Sequence, residues 1–319
     1  MTILVTGGNG FIGTNFILNY LSESDEEIIN VDSLTYSSCG YTFPNRVKSY
    51  VKNINDSDSI DYILKKYKPR AIVHFAAESH VDNSINDPEI FIKTNVLGTF
   101  TLLESVRKNL KECRFLHVST DEVYGSLEPE DEPSTENSTY KPNSPYSASK
   151  ASSDHIVRSY NKTYGLDTII TNCSNNYGFF QHDEKFIPTV IRSCYNQKPI
   201  PIYGDGKQIR DWLHVSDHCS ALRLILEKGK SGEKYNIGGD NQLKNIDVVE
   251  EICTIFNEIY PERFDHKKLI SFVKDRPGHD TRYDIDSSKL QTELGWSQEV
   301  QFRQGLKDTI EWYISEWDE

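Results

Sequence analysis

Two adjacent acids and a tyrosine–lysine pair are the residues of this sequence whose types and spacing could support a reaction. Asp121 and Glu122 follow the apolar, strand-like run 115–119, and Tyr146 precedes Lys150 by four residues. Residues four apart in a helix lie on one face, one turn apart. A neighbouring ammonium favours the phenolate, so Tyr146 is a candidate base near neutral pH. Two carboxyls that share a site can differ in pKa, so the acids could supply both an acid and a base.

The N-terminal segment has the pattern of a dinucleotide-binding turn. The apolar run 2–6 leads into glycines at positions 7, 8, 10 and 13, a helix is expected over about 14–21, and the strand-like run 27–32 ends in Asp32. Glycines at this spacing let the backbone approach a pyrophosphate, which the N-terminus of the next helix binds. The Asp32 carboxylate is placed to accept a hydrogen bond from a ribose hydroxyl, and it would repel a 2′-phosphate. The sequence therefore predicts NAD rather than NADP as the cofactor.

Strands and helices continue to alternate along the chain. Further strand-like runs are found at 49–51, 71–75, 115–119 and 167–171. Helical patterns lie between or after them at 57–66, 87–108 and 145–164. This alternation predicts an α/β fold with a Rossmann-type doubly wound parallel sheet, which binds ligands at the carboxyl ends of its strands.

The alternation ends after the sixth strand, and shorter elements follow. Helices are expected at 246–259 and 305–313, separated from the first part by glycine-containing loops. This change indicates a smaller α+β C-terminal substrate lobe. We expect an NAD-binding domain at 1–173 and a substrate-binding lobe at 174–319, with an interleaved boundary.

The position of Tyr146, more than its spacing from Lys150, makes it a candidate. Tyr62 and Tyr203 also precede a lysine by four residues. Only Tyr146 begins the helix after the fifth predicted strand, beside the sheet edge where a nicotinamide would lie.

The composition limits the classes of function. A net charge of -13 argues against nucleic acid or an anionic membrane as a partner. No apolar run approaches the ~20 residues of a membrane span. The six cysteines are dispersed, which suits reduced thiols in a cytoplasmic protein. His214 and His218 have helical spacing that could bind a metal, but no acidic or cysteine partner lies at ligand spacing, so we expect no metal site.

Seven motifs give the chain a family resemblance that runs almost from end to end. They are TGGNGFIG (6–13), AAESHVD (76–82), STDEVYG (119–125), SPYSASK (144–150), NCSNNYG (172–178), RDWL (210–213) and DRPGHD (275–280). The chain resembles the extended short-chain dehydrogenase/reductase group and, within it, the dTDP-glucose 4,6-dehydratases. The glycine turn and the Tyr/Lys pair are shared by the whole group. The acid pair after Thr120 is the more specific feature.

The resemblance implies a lyase that converts dTDP-glucose to dTDP-4-keto-6-deoxyglucose and regenerates NAD in each cycle. Tyr146 would take the O4 proton while C4 passes a hydride to NAD. Glu122 would then remove the C5 proton, and Asp121 would protonate the departing O6 hydroxyl. The hydride would finally return to C6 while a proton is delivered to C5, which gives the 4-keto-6-deoxy sugar. The catalytic residues implied are Thr120, Asp121, Glu122, Tyr146 and Lys150.

The resemblance also implies the residues that hold cofactor and nucleotide sugar. Those facing NAD are Gly7, Gly10, Phe11, Ile12, Gly13, Asp32, Ser33, Leu34, Thr35, Asn53, Ile54, Ala76, Ala77, Thr94, Tyr146, Lys150 and Asn176. Those facing the nucleotide sugar are Ser79, Thr120, Asn175, Lys185, Phe186, Pro201, Tyr203, Arg210, Asn245, Arg276 and His279. The implied assembly is a homodimer formed through the helices at about 88–108 and 145–164.

Several positions depart from the family pattern, Phe179–Phe180 and Lys185–Phe186 among them, and alternatives stay open. Ser33 replaces a common Lys, Asn53 replaces an acid expected against adenine, and Asn83 stands where bacterial members usually have Arg. UDP-glucose dehydratases also have Asn there, so UDP-glucose is an alternative substrate, and a C5-epimerising dehydratase is another reading. A catalytically silent NAD-binding sensor or scaffold is the alternative from a different class.

Overall fold

The computed structural model describes residues 1–261, 265–275 and 278–318. The predicted substrate residue Arg276 lies outside these ranges. The first part of the chain forms β1 (Thr2–Thr6), α1 (Phe11–Glu23), β2 (Glu27–Asp32), β3 (Val47–Val51), α2 (Ser57–Tyr67), β4 (Ala71–His74), α3 (Val81–Asn86), α4 (Pro88–Phe91), a π-helix (Ile92–Gly98), α5 (Thr99–Asn109), β5 (Arg114–Thr120), a 3₁₀ turn (Asp121–Tyr124), α6 (Pro145–Tyr164) and β6 (Thr168–Cys173).

The remainder of the chain builds shorter elements. They are β7 (Asn175–Tyr177), α7 (Phe186–Tyr195), β8 (Ile200–Tyr203), β9 (Ile209–His214), α8 (Val215–Lys228), β10 (Lys234–Ile237), β11 (Gln242–Lys244), α9 (Asn245–Ile259), a 3₁₀ turn (His266–Leu269), β12 (Ile270–Val273), α10 (Ser288–Leu294) and α11 (Phe302–Asp318).

A seven-stranded parallel sheet is the framework of the molecule. Its strand order is β10-β6-β5-β4-β1-β2-β3, and every pairing within it is parallel. The order reverses between β1 and β4, which is where a doubly wound sheet binds its ligands. The predicted α/β Rossmann-type fold is therefore confirmed. The seventh strand, β10, comes from beyond residue 173, so the chain returns to this sheet after entering the second lobe.

Large apolar clusters cover both faces of the central sheet and fill the smaller lobe. Leu4, Ile72 and Phe115 belong to the cluster under α2 and α5, while Ile3 and Val73 belong to the cluster under α1 and α8. Successive strand residues face opposite sides, so a parallel sheet covered by helices needs apolar side chains on both. A third cluster, built on α7, α9 and α11, forms the interior of the smaller lobe. In the ranges that the structure describes, no helix combines the length and apolarity needed to cross a membrane.

The helical segment predicted from Asp87 onward differs from the expectation of one regular helix. Its middle, Ile92–Gly98, is a π-helix, and Asp87 makes no side-chain hydrogen bond as a cap. A π-turn inserts an extra residue and re-aims the side chains. Here it buries Asn95, whose amide nitrogen donates to Glu78 O at 2.9 Å and to Ser149 Oγ at 2.8 Å. These contacts with a loop and with α6 explain the local change of helix type.

The helix that carries Tyr146 and Lys150 starts and ends at strong signals. Ser144 and Ser147 form a reciprocal capping box, with both backbone N–H groups hydrogen-bonded to the partner side chain at 3.0 Å. Pro145 occupies the first turn, and Gly165 ends the helix in the left-handed conformation with φ 70°. The observed range Pro145–Tyr164 equals the predicted one.

The capping box gives a stability prediction. Ser144→Ala removes the side-chain oxygen that accepts from Ser147 N, so the free energy of unfolding should fall by roughly 0.5–2 kcal/mol. Urea denaturation measures this as a lower midpoint with an unchanged slope. Ser22→Ala is the matched control, because the exposed Ser22 hydroxyl makes only a bond to Asn19 O. Equal losses in the two variants would contradict the capping role.

Candidate active site

One cleft follows the carboxyl ends of the central strands. It is bordered by the segments after β1, β2, β4, β5 and β6 and by the first turns of α6. The predicted catalytic residues Thr120, Asp121, Glu122, Tyr146 and Lys150 all line it. The sheet thus brings together side chains that come from a strand end, a 3₁₀ turn and a helix.

The glycine turn leaves room for a ligand rather than for side chains. Gly7 has φ +72°, and a Cβ there would lie 2.6 Å from Ala76 N. A Cβ on Gly13 would lie 2.2 Å from Gly7 O. The backbone is therefore packed so closely that only glycine fits at these two positions, and the N-terminus of α1 opens into the cleft. This cradle fits the pyrophosphate of the predicted dinucleotide.

Asp32 ends β2 beside the cradle and orders the backbone around it. Its Oδ2 accepts from Asn9 N at 2.8 Å, and its Oδ1 accepts from Leu34 N at 2.8 Å. Each carboxylate oxygen has a second lone pair, so the group can still accept from a ribose hydroxyl. The predicted cofactor residue Leu34 is not among the residues that line the cleft, and it is 47% exposed.

The acid pair occupies a turn in which Asp121 is buried. Thr120 Oγ1 accepts from Glu122 N at 3.3 Å and donates to Asp121 Oδ1 at 3.2 Å. Burial raises the pKa of Asp121 well above its usual value, and the charges of Glu122 and Asp211 add to this. Asp121 Oδ2 has no hydrogen-bond partner within the described ranges. The environment of Asp121 therefore favours the protonated carboxylic acid, the form that could donate a proton into the cleft.

Tyr146 is less ready to ionise than expected from Lys150 alone. Lys150 Nζ donates to Val118 O at 2.8 Å. Burial raises the pKa of Tyr146 well above its usual value, the charge of Glu122 raises it further, and a hydrogen bond with Thr120 opposes the shift. The expectation that the ammonium would favour the phenolate is corrected here, because burial and the nearby carboxylate outweigh it.

The cleft also contains most of the other predicted site residues. On the cofactor side these are Gly7, Gly10, Phe11, Ile12, Gly13, Asp32, Ser33, Thr35, Asn53, Ile54, Ala76, Ala77, Thr94 and Asn176. On the substrate side they are Ser79, Asn175 and Lys185. Lys185 reaches across the opening, where its Nζ donates to Ser79 O at 2.9 Å.

The remaining predicted substrate residues lie in the second lobe, on β8, β9, α7, α9 and the segment between β12 and α10. They are Phe186, Pro201, Tyr203, Arg210, Asn245 and His279. Phe186 stacks on Trp212 with ring centroids 6.0 Å apart. His279 Nδ1 is 2.7 Å from Asp275 Oδ1, and its ring stands edge-on to Tyr203.

Arg210 connects this second group to the acid pair. It is buried, donates to Asp280 O at 2.9 Å, and lies over the Tyr283 ring with 4.4 Å between guanidinium and centroid. The charge of Arg210 lowers the pKa of Asp121, although burial dominates there. The charge of Glu122, after burial, raises the pKa of Tyr283. The second group therefore borders the reactive end of the cleft.

Several residues of the cleft were missed by sequence reasoning. Glu78, Glu184, Lys52 and Cys173 all line it. Glu78 adjoins the predicted Ala77 and Ser79, and Glu184 adjoins Lys185, so adjacency was an available signal. Burial and the charge of Glu184 raise the pKa of Glu78. Cys173 has no sequence signal beyond its position at the end of β6.

The two histidines with helical spacing serve other contacts. His214 Nδ1 is 2.7 Å from Ser216 Oγ, and His218 Nδ1 is 2.9 Å from Asn176 Oδ1. Residues 1–261, 265–275 and 278–318 contain no cluster of three or more His, Cys, Asp or Glu that could hold a metal ion.

Comparison with known proteins adds an independent line of evidence. The family model described as GDP-mannose 4,6 dehydratase matches residues 4–309. The dTDP-glucose 4,6-dehydratase of Salmonella typhimurium is 48% identical, over 99% of this chain and 93% of that protein. Its namesake from Haemophilus influenzae is 49% identical, over 98% of each. The crystal structure of a dTDP-glucose 4,6-dehydratase from Streptomyces venezuelae with NAD bound has a TM-score of 0.92 and 41% identity, covering 100% of this chain and 98% of that one.

The buried acid gives a prediction about stability and pH. The unfolded chain ionises at Asp121 near pH ~3.9, whereas the folded chain keeps the proton, so folding loses stability as pH rises from there through the raised pKa. Asp121→Asn lacks this titration. Its melting temperature should exceed that of the unmodified chain at pH 8, by the equivalent of about 1.4 kcal/mol per pKa unit.

The difference in melting temperature should shrink towards pH 4. Asp25→Asn is the control, because the Asp25 side chain is fully exposed. A constant difference at every pH would show that Asp121 is ionised in the folded protein.

Proposed function

This chain belongs to the GDP-mannose 4,6-dehydratase family, and from this premise we propose that it dehydrates dTDP-glucose to dTDP-4-keto-6-deoxyglucose with NAD as its bound cofactor. The observation that carries the proposal is the buried Asp121 carboxyl beside Glu122, in one cleft with Tyr146 and Lys150. An elimination of water from a sugar needs a proton donor and a proton acceptor at neighbouring carbons. The relatives named for this reaction support the same substrate.

The cleft has the groups that NAD requires. Gly7 and Gly13 leave the backbone open for the pyrophosphate, and Asp32 is available for the adenosine ribose. Tyr146, Lys150 and Asn176 line the inner part of the cleft, where the nicotinamide end would be held. The cofactor, when bound, supplies a hydride acceptor that returns the hydride in the same cycle.

The side chains of this protein would divide the proton transfers among them. Tyr146 must first lose its phenol proton to solvent, and the Lys150 ammonium beside it favours the resulting phenolate. The phenolate then accepts the proton of the O4 hydroxyl, and Thr120, which is hydrogen-bonded to Tyr146, is placed to orient that hydroxyl. Oxidation at C4 acidifies the C5 proton, which Glu122 removes. Asp121, whose burial favours the protonated form, donates its proton to the O6 hydroxyl as it leaves as water. Neither acid nor base needs a metal for this sequence of transfers.

We infer that two copies associate through the face formed by α3 to α5. Five large apolar side chains, each 39–50% exposed, lie within this short segment: Ile85, Ile90, Ile92, Leu97 and Phe100. Clustered exposed apolar residues mark an interaction surface. A second copy is the occupant that the family resemblance implies, with α6 completing a four-helix bundle.

We also place the protein in the cytoplasm. The six cysteines are all free thiols, and five of them are buried. Thiols of this kind persist in a reducing compartment.

The first test of function is turnover without added NAD. Purified protein incubated with dTDP-glucose should yield a product lighter by one water, whereas UDP-glucose should react more slowly. Preference for UDP-glucose would indicate that Asn83, whose side chain donates to Tyr36 OH at 2.9 Å, contributes to the choice of nucleobase. Absence of any product, even with NAD supplied, would contradict the proposed function.

Matched tyrosine variants test the assignment of the base. Tyr146→Phe should lower kcat by roughly 10²–10⁴-fold, because the positioned proton acceptor is lost. Tyr62→Phe is the control, since Tyr62 also precedes a lysine by four residues but lies outside the cleft. Equal rates for both tyrosine variants would remove Tyr146 from the mechanism.

Glu122→Gln should stop the cycle after oxidation, so the near-ultraviolet absorbance of NADH should accumulate during a single turnover.

The dimer is tested by placing charge on the apolar face. Phe100→Glu should convert the dimer to a monomer in size-exclusion chromatography with light scattering, because an unpaired carboxylate would be buried at the interface. Phe272→Glu is the control, since Phe272 is 59% exposed on β12, away from α3 to α5. A Phe100→Glu protein that remains dimeric would show that another surface forms the contact.

A further inference from the structure

A second carboxylate is buried directly behind the cleft. Asp154 lies one helical turn after Lys150 on α6, and its side chain is 1% exposed. Its Oδ2 accepts from Tyr140 OH at 2.8 Å and from Asn172 Nδ2 at 3.2 Å, and its Oδ1 lies 3.2 Å from His117 Nε2. Asp154 does not line the cleft and has no part in the proton transfers described above.

Asp154 is ionised despite its burial. Burial opposes ionisation, but the contacts with His117 and the charge of Lys150 outweigh it and hold the pKa of the Asp154 carboxyl below its usual value. Burial lowers the pKa of His117 to about 4, so this ring is neutral near pH 7. The negative charge of Asp154 therefore needs a cation other than His117.

We propose that Asp154 is a positioning residue whose buried negative charge keeps Lys150 protonated and its ammonium seated on Val118 O, next to Tyr146. The inference rests on the proposed function of the cleft, because it assigns a partner to one of its catalytic residues. Residues four apart on a helix share a face, so Asp154 and Lys150 lie on one side of α6. A buried ammonium without a counter-charge loses its proton readily.

The other titratable groups packed around Lys150 are uncharged, so Asp154 supplies its counter-charge. On β4, burial holds the pKa of His74 well below its usual value, so this ring is neutral. On β5, His117 is neutral for the same reason. On β6, burial raises the pKa of Cys173 to about 12, so it is a thiol. Burial lowers the pKa of Lys150, and the charge of Asp154 is the main opposing influence.

Three further titratable groups face Asp154 from other elements. Tyr124, in the 3₁₀ turn after β5, is a neutral phenol because burial and the charge of Asp154 raise its pKa. Tyr140, in the loop before α6, remains a neutral phenol because burial and the charge of Asp154 raise its pKa far above its usual value. Lys234, on β10, lies 4.5 Å from the centroid of the Tyr140 ring and feels the charge of Asp154. Lys234 does not line the cleft. It therefore interacts with the Asp154 carboxylate but cannot take the place of the Lys150 ammonium beside Tyr146.

Two substitutions at the same position separate charge from packing. Asp154→Asn removes the charge and keeps the size, whereas Asp154→Glu keeps the charge and adds a methylene to a packed site. Both should lower the melting temperature. Only Asp154→Asn should change the pH profile of kcat in the dTDP-glucose reaction.

The direction of this change follows from the protonation state that Lys150 must keep. Activity that requires the ammonium falls as pH rises through the pKa of Lys150. Removing the counter-charge lowers that pKa, so the alkaline limb of the profile should move to lower pH by about one unit or more. At a pH above both limbs this corresponds to a rate about tenfold lower. Asp154→Glu should keep the alkaline limb of the unmodified enzyme.

A measurement without substrate checks the charge of Asp154 itself. A carboxyl with a lowered folded pKa stabilises the fold above its unfolded pKa of about 3.9, and this stabilisation is lost as pH falls through the folded value. The difference in melting temperature between the unmodified protein and Asp154→Asn should therefore be largest at neutral pH and narrow below pH ~4. Ser159→Ala should show a difference that is nearly constant over this range, because it removes an exposed hydroxyl that donates to Ile156 O and no hydrogen bond to Asp154.

The outcomes separate this inference from the function on which it rests. Unchanged alkaline limbs in both Asp154 variants would overturn the positioning role of Asp154. Turnover by the unmodified enzyme in the same experiment would still support the proposed function. Limbs displaced equally in Asp154→Asn and Asp154→Glu would show that packing and not charge is responsible, which also overturns it. If the unmodified enzyme turned over no sugar, the proposed function would fail, whereas the melting curves would still report whether Asp154 is charged.

Discussion

The hydrogen bond from the Lys150 ammonium to the Val118 carbonyl, 2.8 Å long, is the contact on which the arrangement of the site depends. It joins α6, which carries Tyr146, to β5, whose end leads directly into Thr120 and Asp121. Because β5 is paired on both sides, with β4 and β6, its end cannot shift independently of the sheet. The proposed base on a helix and the proposed acid after a strand are thereby held in one rigid frame, as catalytic geometry requires.

Burial acts on all three titratable groups of this frame in the direction of neutrality. It raises the pKa of Asp121 and of Tyr146, and it lowers the pKa of Lys150. Charges that develop on the substrate during a reaction would consequently interact strongly with these side chains, since electrostatic interactions are stronger where water is excluded. The same burial makes the folded state less stable than it would be with apolar side chains at these positions. Active sites commonly retain such a cost in stability.

The parts of the site that the sequence predicted are those with a local cause. Pro145, the serine cap and Gly165 specify α6 within its own residues, and the glycine turn specifies the cradle in the same way. The π-helix could not be predicted, because it depends on contacts of Asn95 with Glu78 and α6, which are distant in sequence. The spacing of Tyr146 and Lys150 did not predict the direction of the Tyr146 pKa shift, for a related reason. Burial of a side chain is a property of the packed fold and not of a four-residue spacing.

The placement of the second group of predicted residues shows how two lobes share one reaction centre. Arg210 and Asp211 are consecutive on β9, so their side chains point to opposite faces of the strand, yet both charges reach Asp121. Asp211 accepts from Gly239 N and Asn241 N at 2.7 Å, so its carboxylate shapes the loop before β11 while it raises the pKa of Asp121. Arg210 acts in the opposite direction. A nucleotide diphosphate that neutralises Arg210 would remove the influence that lowers the pKa of Asp121, so binding of the substrate's nucleotide part would favour the protonated acid that acts on its sugar.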